Sequence, residues 1–487
     1  MHERLAVLAA LSVLAGCATA PAFQESAVRL PSSYGAMAAA PPVLAFPAAG
    51  TPAPAMVGTA VHYTLSDGSA RFWTALGDSG LTALVTEALR TNTSVRGAEA
   101  RLSGARAARR LASFDFGPTL TGSASGLRSQ QSADQIPGAT SQLPRRDLYD
   151  FGFDASWEVD LFGRTRRNVG AQSALTSSAA YALEDVQVSL AAEVARTYFE
   201  LRGAERQLAV ARRNAANQQH TVALTEDRLA AGRGTAFDTE RARSVLQLTL
   251  AGIPLLDAEI KARQLRLTTL VGHGADTLLT GICAVGTLPV LPDTVDLGAP
   301  QELVHHRPDV LRAERALAAN TLFIGAAQAE YLPRLSLGAS AGYTATRLQS
   351  LTNAGTSRFL IGPVVSVPLD FGRTRQRVTL AETRADESRA DYDAAVLQAV
   401  EETETSLVSY ERSHARVAVL SGAVRSSTRA ADLAQQRFEA GLTDFFQVLD
   451  AQRTLLEAEN QLALAHTSAS IALVAIYKSV GGAWKIR

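Results

Sequence analysis

An internal duplication constrains this 487-residue chain more than any other feature. Val95, Glu99 and Pro118-Thr119-Leu120 return as Val310, Glu314 and Pro333-Arg334-Leu335, all at an offset of 215. Further on, Phe162-Gly163-Arg164 matches Phe371-Gly372-Arg373, Arg228 with Gly232 matches Arg437 with Gly441, and Val271-Gly272 matches Val480-Gly481, all at 209. The first copy therefore holds six extra residues between its proline and its Phe-Gly-Arg. Turn formers Pro137-Gly138 and Pro144 place them in a long hairpin loop within 130–146. The expected division is a first repeat over 71–275, a linker over 276–299, a second repeat over 300–482 and a short tail over 483–487.

Each copy reads as helix, two strands, very long helix, tight turn, helix. In the first, Tyr149, Phe151, Phe153, Ala155 and Trp157 alternate with Asp150, Asp154, Ser156 and Glu158. In the second, Leu335, Leu337, Ala339, Ala341 and Tyr343 alternate with Ser336, Gly338, Ser340, Gly342 and Thr344. A period of two gives each strand one apolar and one polar face. A soluble sandwich and an outer-membrane sheet both satisfy that pattern.

The helices carry a longer signal. No proline interrupts Arg164 to Ala231, and Val194, Leu201, Leu208, Ala215, Val222 and Leu229 recur every seventh residue. The transposed positions are Thr403, Tyr410, Val417, Val424, Ala431 and Phe438; on the returning helices Leu246, Ile253, Ile260 and Leu267 correspond to Leu455, Leu462, Ala469 and Ile476. A strict heptad over this length means coiled-coil packing. Such a helix is about 100 Å long at 1.5 Å per residue, the scale of a tube across the periplasm. The helix pattern by itself favours a coiled-coil rod without a pore.

The N-terminus is an address. Met1 to Arg4 are cationic, Leu5 to Ala15 are apolar, and the run stops at Leu14-Ala15-Gly16-Cys17, so 1–16 read as a secretory signal. Residues 17–70 read as a tether, its stretch from Pro21 to Gly58 being rich in Ala, Pro and Gly. Beyond it no continuous apolar stretch near 20 residues stands out, so the expectation is that any membrane crossing uses strands. Two hairpins give four strands per chain, too few to close a barrel, and open edges are not left in lipid. A dimer would make eight strands, with an interior filled by side chains; a trimer makes twelve and leaves a lumen, so a conduit favours the trimer.

With 47 Lys+Arg against 47 Asp+Glu, the chain lacks the basic surplus of a nucleic-acid binder. The two cysteines, Cys17 and Cys283, build neither a disulfide scaffold nor a zinc site, and Cys283 reads as a small buried apolar residue. Phosphate-cradling, Rossmann, zincin and hydrolase motifs are absent, so nothing suggests an enzyme. His305-His306 lacks companion ligands, and Met1, Met37 and Met56 all lie in the signal or tether, so no metal site is expected.

In this order, several segments resemble the outer-membrane efflux proteins, the TolC-like family, in its NodT-type lipoprotein branch. They are the Leu14–Cys17 lipobox, Trp157-Glu158-Val159-Asp160-Leu161-Phe162-Gly163-Arg164, Arg307-Pro308-Asp309-Val310, Ala329-Glu330-Tyr331-Leu332-Pro333, Pro368-Leu369-Asp370-Phe371-Gly372-Arg373, and Arg437-Phe438-Glu439-Ala440-Gly441 leading into Val448-Leu449-Asp450-Ala451-Gln452-Arg453. The resemblance implies a mixed α/β membrane protein: a trimeric twelve-stranded outer-membrane β-barrel continued by a long α-helical coiled-coil periplasmic barrel. It implies a homotrimer, lipid-anchored through Cys17 in the outer membrane of a Gram-negative bacterium. It also implies a passive exit duct for small molecules, with a periplasmic adaptor and an inner-membrane resistance-nodulation-division transporter as partners, and no cofactor beyond the lipid. The turns at Gly232 and Gly441, with Arg228 and Arg437, become the adaptor-facing tips; simple C-caps of a rod would use the same glycines.

Phe446, Asp450 and Arg453 share one helix face, and by the same resemblance they form the periplasmic aperture, against the plainer reading of a solvated Asp–Arg pair. Their first-copy equivalents are Phe237, Arg241 and Ser244, so the acidic position belongs to the second copy alone. Gln447 stands where some relatives carry a second aspartate. Two rivals keep part of this reading: an outer-membrane channel of a type I protein secretion system, and a non-conducting envelope scaffold.

Overall fold

The computed structural model describes residues 61–65, 72–135, 137–138, 140–141, 144–274, 288, 290–292, 294–297 and 305–483. The expected signal segment, the expected lipidation position Cys17, most of the expected tether and Cys283 lie outside them. In chain order the main elements are β1 (His62–Leu65), α1 (Ser79–Thr91), α2 (Thr93–Ser113), β2 (Thr119–Ser129), β3 (Arg146–Val159), α3 (Arg164–Ala230) and α4 (Ala236–Leu270). There follow β4 (Thr294–Leu297), α5 (Pro308–Gln328), β5 (Arg334–Ala345), β6 (Ser357–Ser366), α6 (Phe371–Glu439) and α7 (Phe445–Ser479). An offset of 209 carries both ends of α4 onto α7, and 215 carries both ends of α2 onto α5. The connection over 130–145 is longer than its counterpart over 346–356.

By contact the chain divides into two compact units that each draw on both repeats. One contains Ala100–Ala180 and Arg312–Asp393, the other the described parts of Val28–Glu99, Tyr181–Leu311 and Ala394–Arg487.

The first unit holds one antiparallel sheet in the order β2-β3-β5-β6. Register makes the faces continuous: Phe151 lies opposite Tyr343, Phe153 opposite Ala341 and Trp157 opposite Leu337, while Asp150 lies opposite Thr344, Asp154 opposite Ser340 and Glu158 opposite Ser336. On the polar face Arg358 reaches across β5 to Asp150 with a two-pronged bond of 2.6 and 3.0 Å, and Thr344 donates to the same carboxylate at 2.7 Å. Gly152 and Gly342, directly opposed, let β3 and β5 approach closely, since a Cβ on Gly342 would run into the Phe151 carbonyl and lie 2.7 Å from the Gly152 Cα; a Cβ on Gly152 would also lie 3.4 Å from the Arg358 guanidinium. The apolar face stays exposed: Phe359, Leu120, Ile361 and Phe153 all present more than half of their surface.

Two junctions join this sheet to its long helices, and the duplicated Phe-Gly-Arg acts differently at each. In the first copy Gly163 adopts φ +76 just before α3, and the Asp160 carboxylate accepts the N–H groups of Thr165 and Arg166 at 3.0 and 2.9 Å. That carboxylate serves the orphan donors of a helix start. In the second copy α6 starts earlier, at Phe371, so Gly372 is inside the helix and Asp370 accepts from Arg373 N–H at 3.1 Å.

In the second unit many of the heptad positions form the buried seam, whereas Leu229 is exposed and Val417 and Val424 are half-buried. Val194, Leu201, Leu208, Ala215 and Val222 are buried on α3, as are Thr403, Tyr410, Ala431 and Phe438 on α6 and Ala469 and Ile476 on α7. The helix α7 is long and apolar enough to cross a membrane by length and composition, contrary to the expectation that no such segment exists; half of its apolar stretch is buried inside the protein. Alanines at 463, 465, 469 and 472 are among its buried residues, while Leu462, Leu464, Ile471, Leu473, Val474 and Ile476 supply most of that hydropathy.

A parallel pair, β1 with β4, falls in what the sequence marks as tether and linker, and Val61 and Val295 cover Leu407, Tyr410 and Leu473. The duplication also repeats a helix-end lock. Asn92 Nδ2 donates to the last α4 carbonyl, Leu270 O, at 2.8 Å; its counterpart Arg307 donates to Ser479 O at 2.7 Å and also binds Asp309 and Glu402. Burial alone would push the Asp309 carboxyl up, but the Arg307 guanidinium outweighs it and holds the group below its usual 3.8.

Two outcomes follow. Gly342→Val overpacks the β3–β5 contact and costs roughly 1–3 kcal/mol in thermal unfolding in detergent, whereas Gly338→Val, whose Cβ would meet nothing closer than 3.9 Å, is nearly neutral. Because the Asp309 value is depressed, its contribution is complete above the unfolded-state value near 3.8 and is lost as pH falls through the lower folded value. An acid titration of unfolding shows this loss in wild type, and Arg307→Gln flattens it.

Candidate functional site: the helix-hairpin tips

Each long helix reverses through the same turn. The N–H of Arg233 bonds to Arg228 O at 2.8 Å and that of Gly232 to Leu229 O at 3.0 Å; Leu442 bonds to Arg437 O at 2.8 Å and Gly441 to Phe438 O at 2.9 Å. This is the Schellman pattern, which requires a left-handed residue where these chains place Gly232 (φ +69) and Gly441 (φ +74). The returning helices start on side-chain caps, Thr235 accepting from Asp238 N–H at 3.2 Å and Asp444 from Gln447 N–H at 3.1 Å.

Between the two tips lies a small apolar core of Val222, Ala242, Phe438, Phe445, Val448 and Leu449. Arg228 seals it: the guanidinium stacks 4.0 Å above the Phe438 ring and donates to Phe438 O at 2.7 Å and Glu439 O at 3.3 Å. A cation on the final carbonyls of α6 also opposes the negative end of that helix. Arg437, the duplicated arginine, is exposed and makes no side-chain hydrogen bond or ion pair among the described residues. Identical in sequence, the two positions differ in what they touch.

The three residues expected at the aperture sit on one exposed face of α7. Phe446, Asp450 and Arg453 are exposed, and Phe445, Val448 and Leu449 turn the opposite face into the tip core. Asp450 and Arg453 both face solvent and form no salt bridge with each other. One neighbour escaped the sequence reading: Arg241, the first-copy equivalent of Asp450, lies 4.6 Å over the Phe446 ring. The duplication itself was the available signal, because it places Arg241 on α4 at the same level as Asp450 on α7. Gln447 is held back by Thr443, whose hydroxyl lies 2.6 Å from its amide oxygen. Among the described residues no group of three or more His, Cys, Asp or Glu side chains is arranged for a metal ion.

A sheet with one apolar and one polar face and, among the described residues, two unpaired edges, carried with helices of 67 and 69 residues, is an architecture of the strand-and-coiled-coil class. The family model described as outer membrane efflux protein matches residues 84–273 and 299–482, leaving out the linker between the repeats. Outer membrane protein OprJ of Pseudomonas aeruginosa is 31% identical over 84% of this chain and 85% of its own length. Solvent efflux pump outer membrane protein SrpC of Pseudomonas putida is 30% identical over 84% and 86%. The solved outer-membrane channel OprN superposes with a TM-score of 0.85 at 33% identity, covering 96% of this chain and 99% of its own. The chain belongs to the outer membrane efflux protein family, and is a TolC-like efflux channel component of the Gram-negative outer membrane.

Replacing Arg228 removes a charge-assisted bond from the tip. Arg228→Leu is expected to cost roughly 1.5–3 kcal/mol locally, read as faster tryptic or chymotryptic cleavage near Phe438 with the rest of the chain still protected.

Proposed function

We propose that three copies close their sheets into a twelve-stranded barrel and their helices into a continuous duct, through which small molecules leave the cell passively. The observation that carries this reading is the four-stranded sheet with its β2 and β6 edges unpaired and its aromatic face exposed. Four strands cannot close, and a barrel is the strand architecture that leaves no edge in lipid. Twelve strands leave a lumen lined by the polar face, with Asp150, Arg358 and Thr344 toward water. The efflux-pump name of SrpC supports small-molecule cargo for this chain as well.

At the other end, the turns around Gly232 and Gly441, with Arg228 and Arg437 beside them, meet a periplasmic adaptor that couples the duct to an inner-membrane resistance-nodulation-division transporter. Chemical energy enters there, since the chain carries no motif for using it. Phe446, Asp450 and Arg453 narrow the resting duct: a threefold ring of Asp450 carboxylates repels itself, attracts cations and is held by Arg453 of adjoining helices. The Leu14-Ala15-Gly16-Cys17 segment supports acylation of Cys17, which would add a lipid anchor to the barrel.

Planar-bilayer conductance on the purified protein, with its mass in detergent measured in parallel, tests the reading. A trimer of low conductance that rises several-fold with Asp450→Ala is expected. A folded oligomer that stays silent with both Phe446 and Asp450 replaced by alanine contradicts it.

A further inference from the structure

The clamp at the first tip has a second, unfilled counterpart. Arg228 spans from the end of α3 to the final carbonyls of α6, Phe438 O and Glu439 O. Phe438 O already accepts the Gly441 N–H and takes Arg228 on its remaining lone pair. The duplication maps Arg228 onto Arg437, and Phe438 and Glu439 onto Leu229 and Ala230, at the common offset of 209. Leu229 O likewise accepts its own turn's Gly232 N–H, and the two turns agree in both hydrogen bonds and in glycine φ. One side of the matching contact is therefore an exposed, unbonded Arg437, and the other is a helix end built to the same geometry with no side-chain donor upon it. Leu229, where Phe438 lies under Arg228, is exposed.

The missing occupant cannot come from the same chain, because its second tip already packs against its first through the shared core of Val222, Phe438 and Phe445. We propose that Arg437 of each copy clamps the first-tip helix end of the next, donating to Leu229 O and Ala230 O. Resting on the trimeric reading above, this makes the ring of tips a closed cycle of six arginine clamps, three within chains and three between them. The two kinds are chemically unequal. Within a chain the guanidinium lies on an aromatic face; between chains it lies on Leu229, which offers apolar cover without a ring quadrupole. The junctions between copies are thus the weaker ones, and a tip ring that dilates separates there first. The adaptor then meets turns whose spacing these clamps set, through the exposed Arg233 and Leu442 at their summits.

Paired cysteines test the contact in the full-length protein carrying Cys283→Ser. Arg437→Cys with Ala230→Cys is treated with a short bifunctional thiol reagent, and Arg228→Cys with Glu439→Cys calibrates the same reach within one chain. The expected result is a covalent ladder up to the trimer, in yield comparable to the intrachain control, and absent from either single cysteine. A protein with trimer mass whose control pair links while the test pair stays monomeric on a denaturing gel overturns the clamp and leaves the trimer standing. A protein without trimer mass overturns both. As a second readout, Arg437→Leu raises resting conductance with the trimer mass unchanged, whereas Arg437→Lys restores most of the wild-type value; a Leu variant indistinguishable from wild type counts against the clamp.

Discussion

Backbone groups along the edge of a sheet must be hydrogen-bonded wherever water is absent, and this requirement governs the protein's organisation. Within one chain β3 and β5 have neighbours on both sides, while β2 and β6 each have only one. The sheet also exposes a broad apolar surface, with Phe153, Phe359 and Ile361 among its contributors, that no segment of the described chain covers. Lipid suits that surface and leaves the edges unsatisfied, so the same strands that commit the protein to the outer membrane also commit it to partners. The proposed trimer answers both demands, pairing β6 of one copy with β2 of the next. In that proposed trimer the helices inherit the symmetry that the strands impose.

Duplication supplies an economical route to such a ring, because each copy brings two nearly equivalent units. The equivalence is real in the backbone: α4 and α7 coincide under a single offset, and Gly272 and Gly481 turn against the backbone of Thr91 and of His306 and Arg307. It is broken in side chains where charge matters. Asn92 locks a helix end with one neutral bond, and Arg307 locks the equivalent end with a cation that also ties Asp309 and Glu402. Arg241 and Asp450 are likewise equivalent in position and opposite in charge. A ring of strict sixfold symmetry could not place carboxylates on alternate hairpins; the divergent repeats can.

Much of this is legible in the sequence. Long-range periodicity is a local property repeated many times, so the heptad line from Val194 to Val222 marks the packed seam, and its image from Thr403 to Ala431 does so at Thr403, Tyr410 and Ala431, with Val417 and Val424 only half-buried. Strand alternation likewise survived intact, because register keeps Phe151, Tyr343 and their neighbours on one face. The β1–β4 pair was not legible. Four-residue strands leave no period to read, and their stabilisation comes from Val61 and Val295 seated on Leu407 and Tyr410, contacts distant in sequence. At the tips the residue types and glycines were readable, whereas the separate fates of Arg228 and Arg437 were not. Two copies of one motif cannot reveal which is engaged until the neighbouring helix end is placed.

Amide hydrogen exchange on the assembled protein in detergent is the most direct test of the edge requirement. The account predicts that amides along Thr119–Ser129 and Ser357–Ser366 that face away from β3 and β5 are as protected as those of β3 and β5 themselves. Rapid exchange confined to those outer amides, with β3 and β5 protected, would show that the edges remain open and that the sheet does not close between copies.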